Sequence, residues 1–273
     1  RFDSLQYRCR GGCDECSVFE EPRIIKNDFM DIKMKKIFYL VIALFMISTL
    51  SAQNKKLTLY YPDSTTVVNI VGLDSMTIFI CGASKVGYGG KDYNTVLIGS
   101  QCWLKENLDI GTMVLGSSTQ TNTGTIEKYC YSNNPANCTT YGGLYQWNEA
   151  MQYVTTEGTQ GICPTGWHIP TLAEFQTLSS TVGGDGNALK AIGQGSGGGA
   201  GTNTSGFSAL LAGQRAAYNG VFMYLGAGMD FWSTTEYSIP ERAYTLFTIH
   251  SNGNITLSYQ HKDSGFSVRC LKD

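Results

Sequence analysis

Several things are scarce in this sequence. Its 273 residues include three histidines and six prolines, and Asp, Glu, Lys and Arg together make up 15%. With 20 basic and 22 acidic residues the net charge is -2. A nucleic-acid binder needs a basic surface and a coiled coil needs dense charge beside its apolar seam, so the composition argues against both. His168, His250 and His261 show no metal-ligand spacing such as His-Glu-x-x-His. No serine sits in a Gly-x-Ser-x-Gly elbow, since Gly195-Ser196-Gly197 lies in low-complexity sequence. Glu149, Glu157, Glu236 and Glu241 are available as glycosidase carboxylates, yet nothing marks a pair. The expectation is a protein that is not an enzyme and holds no metal or cofactor.

Apolar residues are present in ordinary proportion, 42%, which is enough for a core. Their arrangement near the start is informative. Met34-Lys35-Lys36 precedes an apolar run from Ile37 to Ile47, and Ser48-Thr49-Leu50-Ser51-Ala52-Gln53 follows. A charged start, a short apolar stretch and a small residue at the cut describe a secretory signal peptide over 34–52, cleaved after Ala52. Crossing a bilayer takes about 20 apolar residues, so no membrane span is expected after cleavage. No cysteine follows the cut, which argues against a lipid anchor. A signal peptide belongs at an N-terminus, so residues 1–33 are expected to be upstream translation outside the mature protein. Cys9, Cys13 and Cys16 do contain a Cys-x-x-Cys pair, but structural zinc takes four ligands and this stretch has three cysteines and no histidine.

The mature chain, 53–273, carries a net charge of -3 and six cysteines. An even count in an exported chain reads as disulfides, with about 15 possible pairings. Cys130 and Cys138 bracket a turn-rich stretch, which makes a local bridge the easiest to accept. Cys163 and Cys270 would join the middle of the domain to its last strand, leaving Cys81 with Cys102.

Local patterns outline the fold. Leu57 to Tyr61 and Thr65 to Ile70 alternate on either side of Pro62-Asp63, which predicts a hairpin extended by Met76 to Ile80. With the glycine-rich stretch 82–90 read as a linker, residues 53–85 form a small β leader and 86–273 the main domain. Thr95 to Leu104 reads as two strands around Gly99. Leu144, Trp147, Ala150, Met151 and Val154 repeat at helical spacing, and Thr171 with Glu174 forms a capping box ahead of Leu172, Phe175, Leu178 and Val182. Residues 193–206 contain seven glycines and read as a flexible surface loop, because no Gly-Lys-Ser/Thr ending makes them a phosphate cradle. From Phe207 the pattern is β. Asn219-Gly220 and Asn252-Gly253 suit type I′ hairpin turns, and Phe266, Val268 and Cys270 alternate against Ser267, Arg269 and Leu271. This describes an α+β domain with two early helices and a late antiparallel sheet. Aromatic and polar residues gather in that late region. Tyr218, Asn219, Tyr224, Trp232, Glu236, Arg242, Tyr259 and His261 are the candidate ligand-binding residues, because rings beside hydrogen-bonding groups suit a sugar or a protein surface.

Four segments together carry a family resemblance. They are Tyr93 to Leu108, Tyr141 to Trp147, Cys163-Pro164-Thr165-Gly166-Trp167-His168-Ile169-Pro170-Thr171, and Phe231 to Glu236 with Gly265 to Asp273. In this order they resemble the Fibrobacter succinogenes major paralogous domain, a family of exported bacterial proteins, over about residues 86–273. That family is similar to the C-type lectin-like fold and, more distantly, to formylglycine-generating enzymes. The resemblance implies a sheet closed by the chain end, a Cys163–Cys270 bridge and a long irregular loop region that carries binding. Two departures narrow it. Trp147-Asn148-Glu149 stands without a Glu-Pro-Asn or Gln-Pro-Asp triplet, which leaves calcium-assisted sugar binding unsupported, and 245–264 lacks the copper-binding cysteines of the oxidases. The expected function is an exported binding module, secreted or at the cell surface, holding a glycan or an envelope or extracellular protein. The alternatives are a structural or adhesive surface component, or an enzyme with an unrecognised site.

Overall fold

The computed structural model describes residues 79–273 throughout. Before them it describes the backbones of four strands, β1 (Tyr7–Cys9), β2 (Cys16–Val18), β3 (Lys55–Tyr61) and β4 (Ser64–Ile70). The expected signal segment and the Met76–Ile78 part of the hairpin extension lie outside the described residues. The chain divides into two compact units, Arg1–Thr77 and Ile78–Asp273. In the first, β1 pairs with β2 and β3 with β4, both antiparallel, and Tyr61 faces Ser64, while the Pro62-Asp63 turn anticipated between them lies outside the described residues.

The second unit begins earlier than the expected boundary at 85/86. Phe79 and Ile80 are not in a strand. The glycine-rich stretch is a hairpin rather than a linker. β5 (Lys85–Tyr88) pairs antiparallel with β6 (Lys91–Ile98), and Gly89 and Gly90 supply the two consecutive positive φ values, 58° and 80°, that its turn requires. β6 then turns through Gly99 into β7 (Gln101–Leu104), as anticipated. The Cys81–Cys102 disulfide, with Cα atoms 5.9 Å apart, ties the start of this unit to β7.

A parallel pair follows, β8 (Thr112–Val114) with β9 (Glu127–Tyr129). The turn-rich stretch inside the Cys130–Cys138 bridge holds helix α1 (Pro135–Tyr141), capped by the Asn134 side chain with proline at its first position. Helix α2 covers only Trp147–Ala150, not the whole of Leu144 to Val154. Gln152 and Tyr153 take positive φ values of 52° and 60°, which ends it, while Leu144 and Tyr145 bridge to other segments instead. β10 (Trp167–His168) leads to α3 (Leu172–Thr181), where both halves of the Thr171/Glu174 capping box form and Phe175 and Leu178 are buried. A short α4 (Gly186–Leu189) follows.

The glycine loop is not a free surface loop. A Cβ at Gly195 would strike the Gly199 carbonyl, and one at Gly199 would strike the His250 carbonyl, so glycine is what lets these backbones meet. Ser196 N–H donates to His250 O at 2.8 Å in the same contact.

The late region holds β11 (Ala212–Arg215), β12 (Phe222–Leu225), β13 (Gly228–Glu236), β14 (Arg242–Ile249) and β15 (Thr256–His261). The final strand, β16 (Leu271–Lys272), joins the other sheet. The two five-stranded sheets run β10-β16-β7-β6-β5 and β12-β11-β13-β14-β15. The second is antiparallel except at Gly213↔Met229, where β11 and β13 run parallel. Both anticipated hairpins exist, but with longer loops than two residues. Neither Asn219 nor Asn252 adopts positive φ, so neither Asn-Gly pair is a type I′ turn.

The closing segment explains how the core is organised. Phe266, Val268 and Cys270 join a cluster with Tyr145, Trp147, Trp167, Trp232 and Cys163, fastened by the Cys163–Cys270 bridge. Leu271 joins a second cluster of Trp103, Phe175, Phe207, Phe231 and Leu246. The anticipated alternation holds, yet both faces are buried, so Ser267 and Arg269 do not reach solvent as their polarity implied. Arg269 has no carboxylate beside it. It donates to Asn107 Oδ1 (2.6 and 3.2 Å), Leu104 O (3.1 Å) and Phe207 O (2.6 Å), and lies 4.5 Å above the Phe207 ring. Four of its five N–H donors are used in this way, with a ring face beside it, which is how a buried guanidinium is tolerated, although burial still pulls its pKa down to about 9.

His168 fixes the chain end. Its Nδ1 lies 2.7 Å from Asp273 Oδ1 and its Nε2 3.0 Å from Glu174 Oε1. The bond to Glu174 and then that to Asp273 raise its pKa against the opposing effect of burial.

Candidate functional site

Past the Gly213↔Met229 pairing, β11 separates from β13. The closing segment fills the gap, bridging Arg215 through Gly265 and Phe231 through Ser267. Beside this insertion a cleft of about 280 Å³ is lined by Gln214, Ala216, Ala217, Tyr218, Met223, Arg242, Gln260, His261 and Ser264.

Of the candidate residues, Tyr218, Arg242 and His261 meet in this cleft. Cross-strand register brings the last two together, because Arg242 on β14 faces His261 on β15 and Tyr244 faces Tyr259. Tyr218 is 88% exposed, with its ring centroid 5.5 Å from that of His261. Tyr259 stands behind Arg242, with the guanidinium 5.3 Å from its ring centroid. Its other contacts are a stack on Tyr237 at 3.7 Å and an edge contact with Tyr244 at 6.5 Å. The bond and charge of Tyr237 raise the Tyr259 hydroxyl pKa, so the group stays neutral at physiological pH.

The other candidates lie elsewhere. Trp232 is fully buried, donates from Nε1 to Tyr145 O at 2.7 Å and packs on Phe266, so it is a core residue and cannot touch a ligand. Glu236 pairs with Lys262 at 3.0 Å, and that ammonium lies 4.1 Å above Trp147. Asn219 spends its side-chain oxygen on Val221 N–H at 3.2 Å. Tyr224 is 59% exposed on β12 but does not line the cleft.

Gln214, Met223, Gln260 and Ser264 line it without having been singled out. They come from three stretches of chain, and only the sheet pairing brings them together. A usable signal existed in the period-two alternation of Arg242 with Tyr244 and of Tyr259 with His261.

The polar groups of the lining are largely unspent. Among the described residues, the side chains of Gln214, Tyr218, Arg242, Gln260 and Ser264 neither donate nor accept a hydrogen bond, and Arg242 has no ion-pair partner. His261 is the exception, since its Nδ1 accepts Asp263 N–H at 3.3 Å. That leaves the Asp263 carboxylate 3.6 Å from an atom already accepting, and Ser264 makes no bond to the ring. These three residues therefore do not form a proton relay. What remains is a shallow cleft with an aromatic flank, two amides, a hydroxyl and one fixed cation.

A family model described as the Fibrobacter succinogenes major domain matches residues 96–272. Comparison with curated proteins and with solved structures returns no match. Among the described residues, no helix is long and apolar enough to cross a membrane.

Proposed function

Because the chain belongs to the Fibrobacter succinogenes major domain family, we propose that it is an exported, non-catalytic binding module that holds a saccharide in the cleft beside β11 and β15. Three disulfides and the family point to an extracellular module. Export through the signal at 34–52 and a C-type lectin-like fold belong to the same reading. The observation that carries it is the unspent polar lining beside an exposed tyrosine. Sugars present hydroxyls that need both donors and acceptors, which amides and a serine hydroxyl supply, and a C–H face that packs on a ring. A glycan array probed with the full chain, and with Tyr218→Ala and Gln260→Ala, tests this. Signal that both substitutions abolish supports it, and an empty array counts against it.

A second reading, docking of an envelope protein or another copy of the chain, rests on Leu115, Val221 and Tyr224, which are 56%, 49% and 59% exposed. Sedimentation of the chain alone and with envelope extract tests it, and a strict monomer without a partner would count against it.

A further inference from the structure

The charge of the cleft narrows the ligand class. Its lining contains no Asp or Glu and one permanent cation, Arg242. Among the described residues none of the nearby carboxylates pairs with Arg242: Glu236 pairs with Lys262 at 3.0 Å, Asp263 is solvent-exposed 3.6 Å from His261, and Glu241 is exposed. Among the described residues the Arg242 side chain is held by its π contact rather than by hydrogen bonds. The backbone is pinned on both sides, with Arg242 N–H donating to Ile239 O at 2.9 Å and Tyr237 N–H donating to Arg242 O at 3.0 Å. The guanidinium lies against the Tyr259 ring, itself backed by Tyr237. A ring face steadies a guanidinium without using its in-plane N–H groups, so the planar fork stays free while its position is set.

We infer that the cleft takes an acidic saccharide, and that Arg242 grips its carboxylate while Gln214, Gln260 and Ser264 read the hydroxyls and Tyr218 covers a ring face. This rests on the saccharide reading above and adds the charge. A neutral sugar would strip water from Arg242 and return nothing of opposite sign, whereas a uronate carboxylate matches the fork with two parallel charge-assisted bonds.

The test is calorimetric titration of the full chain with trimers of galacturonate, mannuronate and glucuronate, each beside its carboxyl-reduced, neutral counterpart. At least one acidic trimer should bind about ten- to a hundredfold more tightly than its reduced form, and raising the salt should weaken it. Arg242→Met should remove that preference and Arg242→Lys should keep part of it, with unchanged thermal unfolding showing that both variants fold. Equal affinity for acidic and reduced trimers, or a preference that survives Arg242→Met, would overturn the inference. If the reduced trimers then still lose binding in Tyr218→Ala, the saccharide reading stands without its acidic refinement. Binding of tetraglutamate as tight as that of any trimer would also overturn the inference, by moving the ligand class to acidic peptides.

Discussion

Asp230 on β13 is buried, with 2% of its surface exposed and one hydrogen bond to its side chain, from the Thr245 hydroxyl at 3.1 Å. Burial raises its pKa from 3.8 to about 7, the Thr245 bond opposing only in part. A folded-state pKa above the unfolded one means that the folded chain binds the proton more tightly. Stability is then highest when the group is protonated in both states and falls as pH rises from the unfolded value to the folded one. A gap of about three pH units corresponds to a loss of about 4 kcal/mol between pH 4 and pH 8, a large share of a typical domain's stability. Asp230→Asn keeps the shape and the acceptor for Thr245 but cannot ionise. Urea unfolding of both proteins from pH 4 to pH 8 gives the difference directly, and every other titrating group cancels in it. The two should be equally stable near pH 4, and the variant should gain progressively, by up to about 4 kcal/mol at pH 8. A difference that stays flat across this range, or a variant that loses ground as pH rises, would refute the reasoning.

Further outcomes follow from the same contacts. For His168, the raised folded pKa gives stability that is complete below its ordinary value of 6.5 and is lost as pH rises through the folded value. Burial works against the charged form of Glu174, but His168 and Thr171 hold its pKa below its ordinary 4.5, so its share is lost only as pH falls through that lowered value. His168→Gln should therefore cost stability near pH 5.5 and little near pH 9, and chemical denaturation showing the reverse trend would contradict the clamp. Replacing Cys163 and Cys270 by alanine opens a loop spanning 107 positions, for which chain entropy predicts a loss of about 4–5 kcal/mol, checked by thermal unfolding of the oxidised proteins. Thr171→Ala removes one half of the α3 capping box and should cost about 1 kcal/mol in the same assay.

What could be read from residues alone was the chemistry of short, self-sufficient signals. The α3 cap, the Gly99 turn and the three cystine pairs depend on a few neighbouring residues or on a small set of partners, and each stands as anticipated. Where tertiary contact decides, the residues misled. Leu144 and Tyr145 carry a helical period, but they spend their backbone groups on Tyr129 and Phe266, leaving a single helical turn after them. The seven-glycine stretch was indistinguishable from a flexible loop until the His250 backbone was seen lying against it. Arg269 shows the same limit, because a charged residue in an alternating strand implies a wet face and only the second core cluster reveals otherwise. Of the candidate site, Tyr218, Arg242 and His261 were legible as aromatic and polar residues in the right region. Trp232 met the same description and is core, since composition cannot tell the two faces of a strand apart where a bulge shifts the register between Trp232 and Glu236.

The most direct measurement is amide chemical-shift mapping of the isotopically labelled full chain as the tightest-binding uronate trimer is added. Shifts concentrated at Gln214, Tyr218, Arg242, Gln260 and Ser264 are the predicted result. Shifts confined to exposed residues away from the cleft, such as Leu115, Val221 and Tyr224, with those five residues unmoved at saturation, would contradict it.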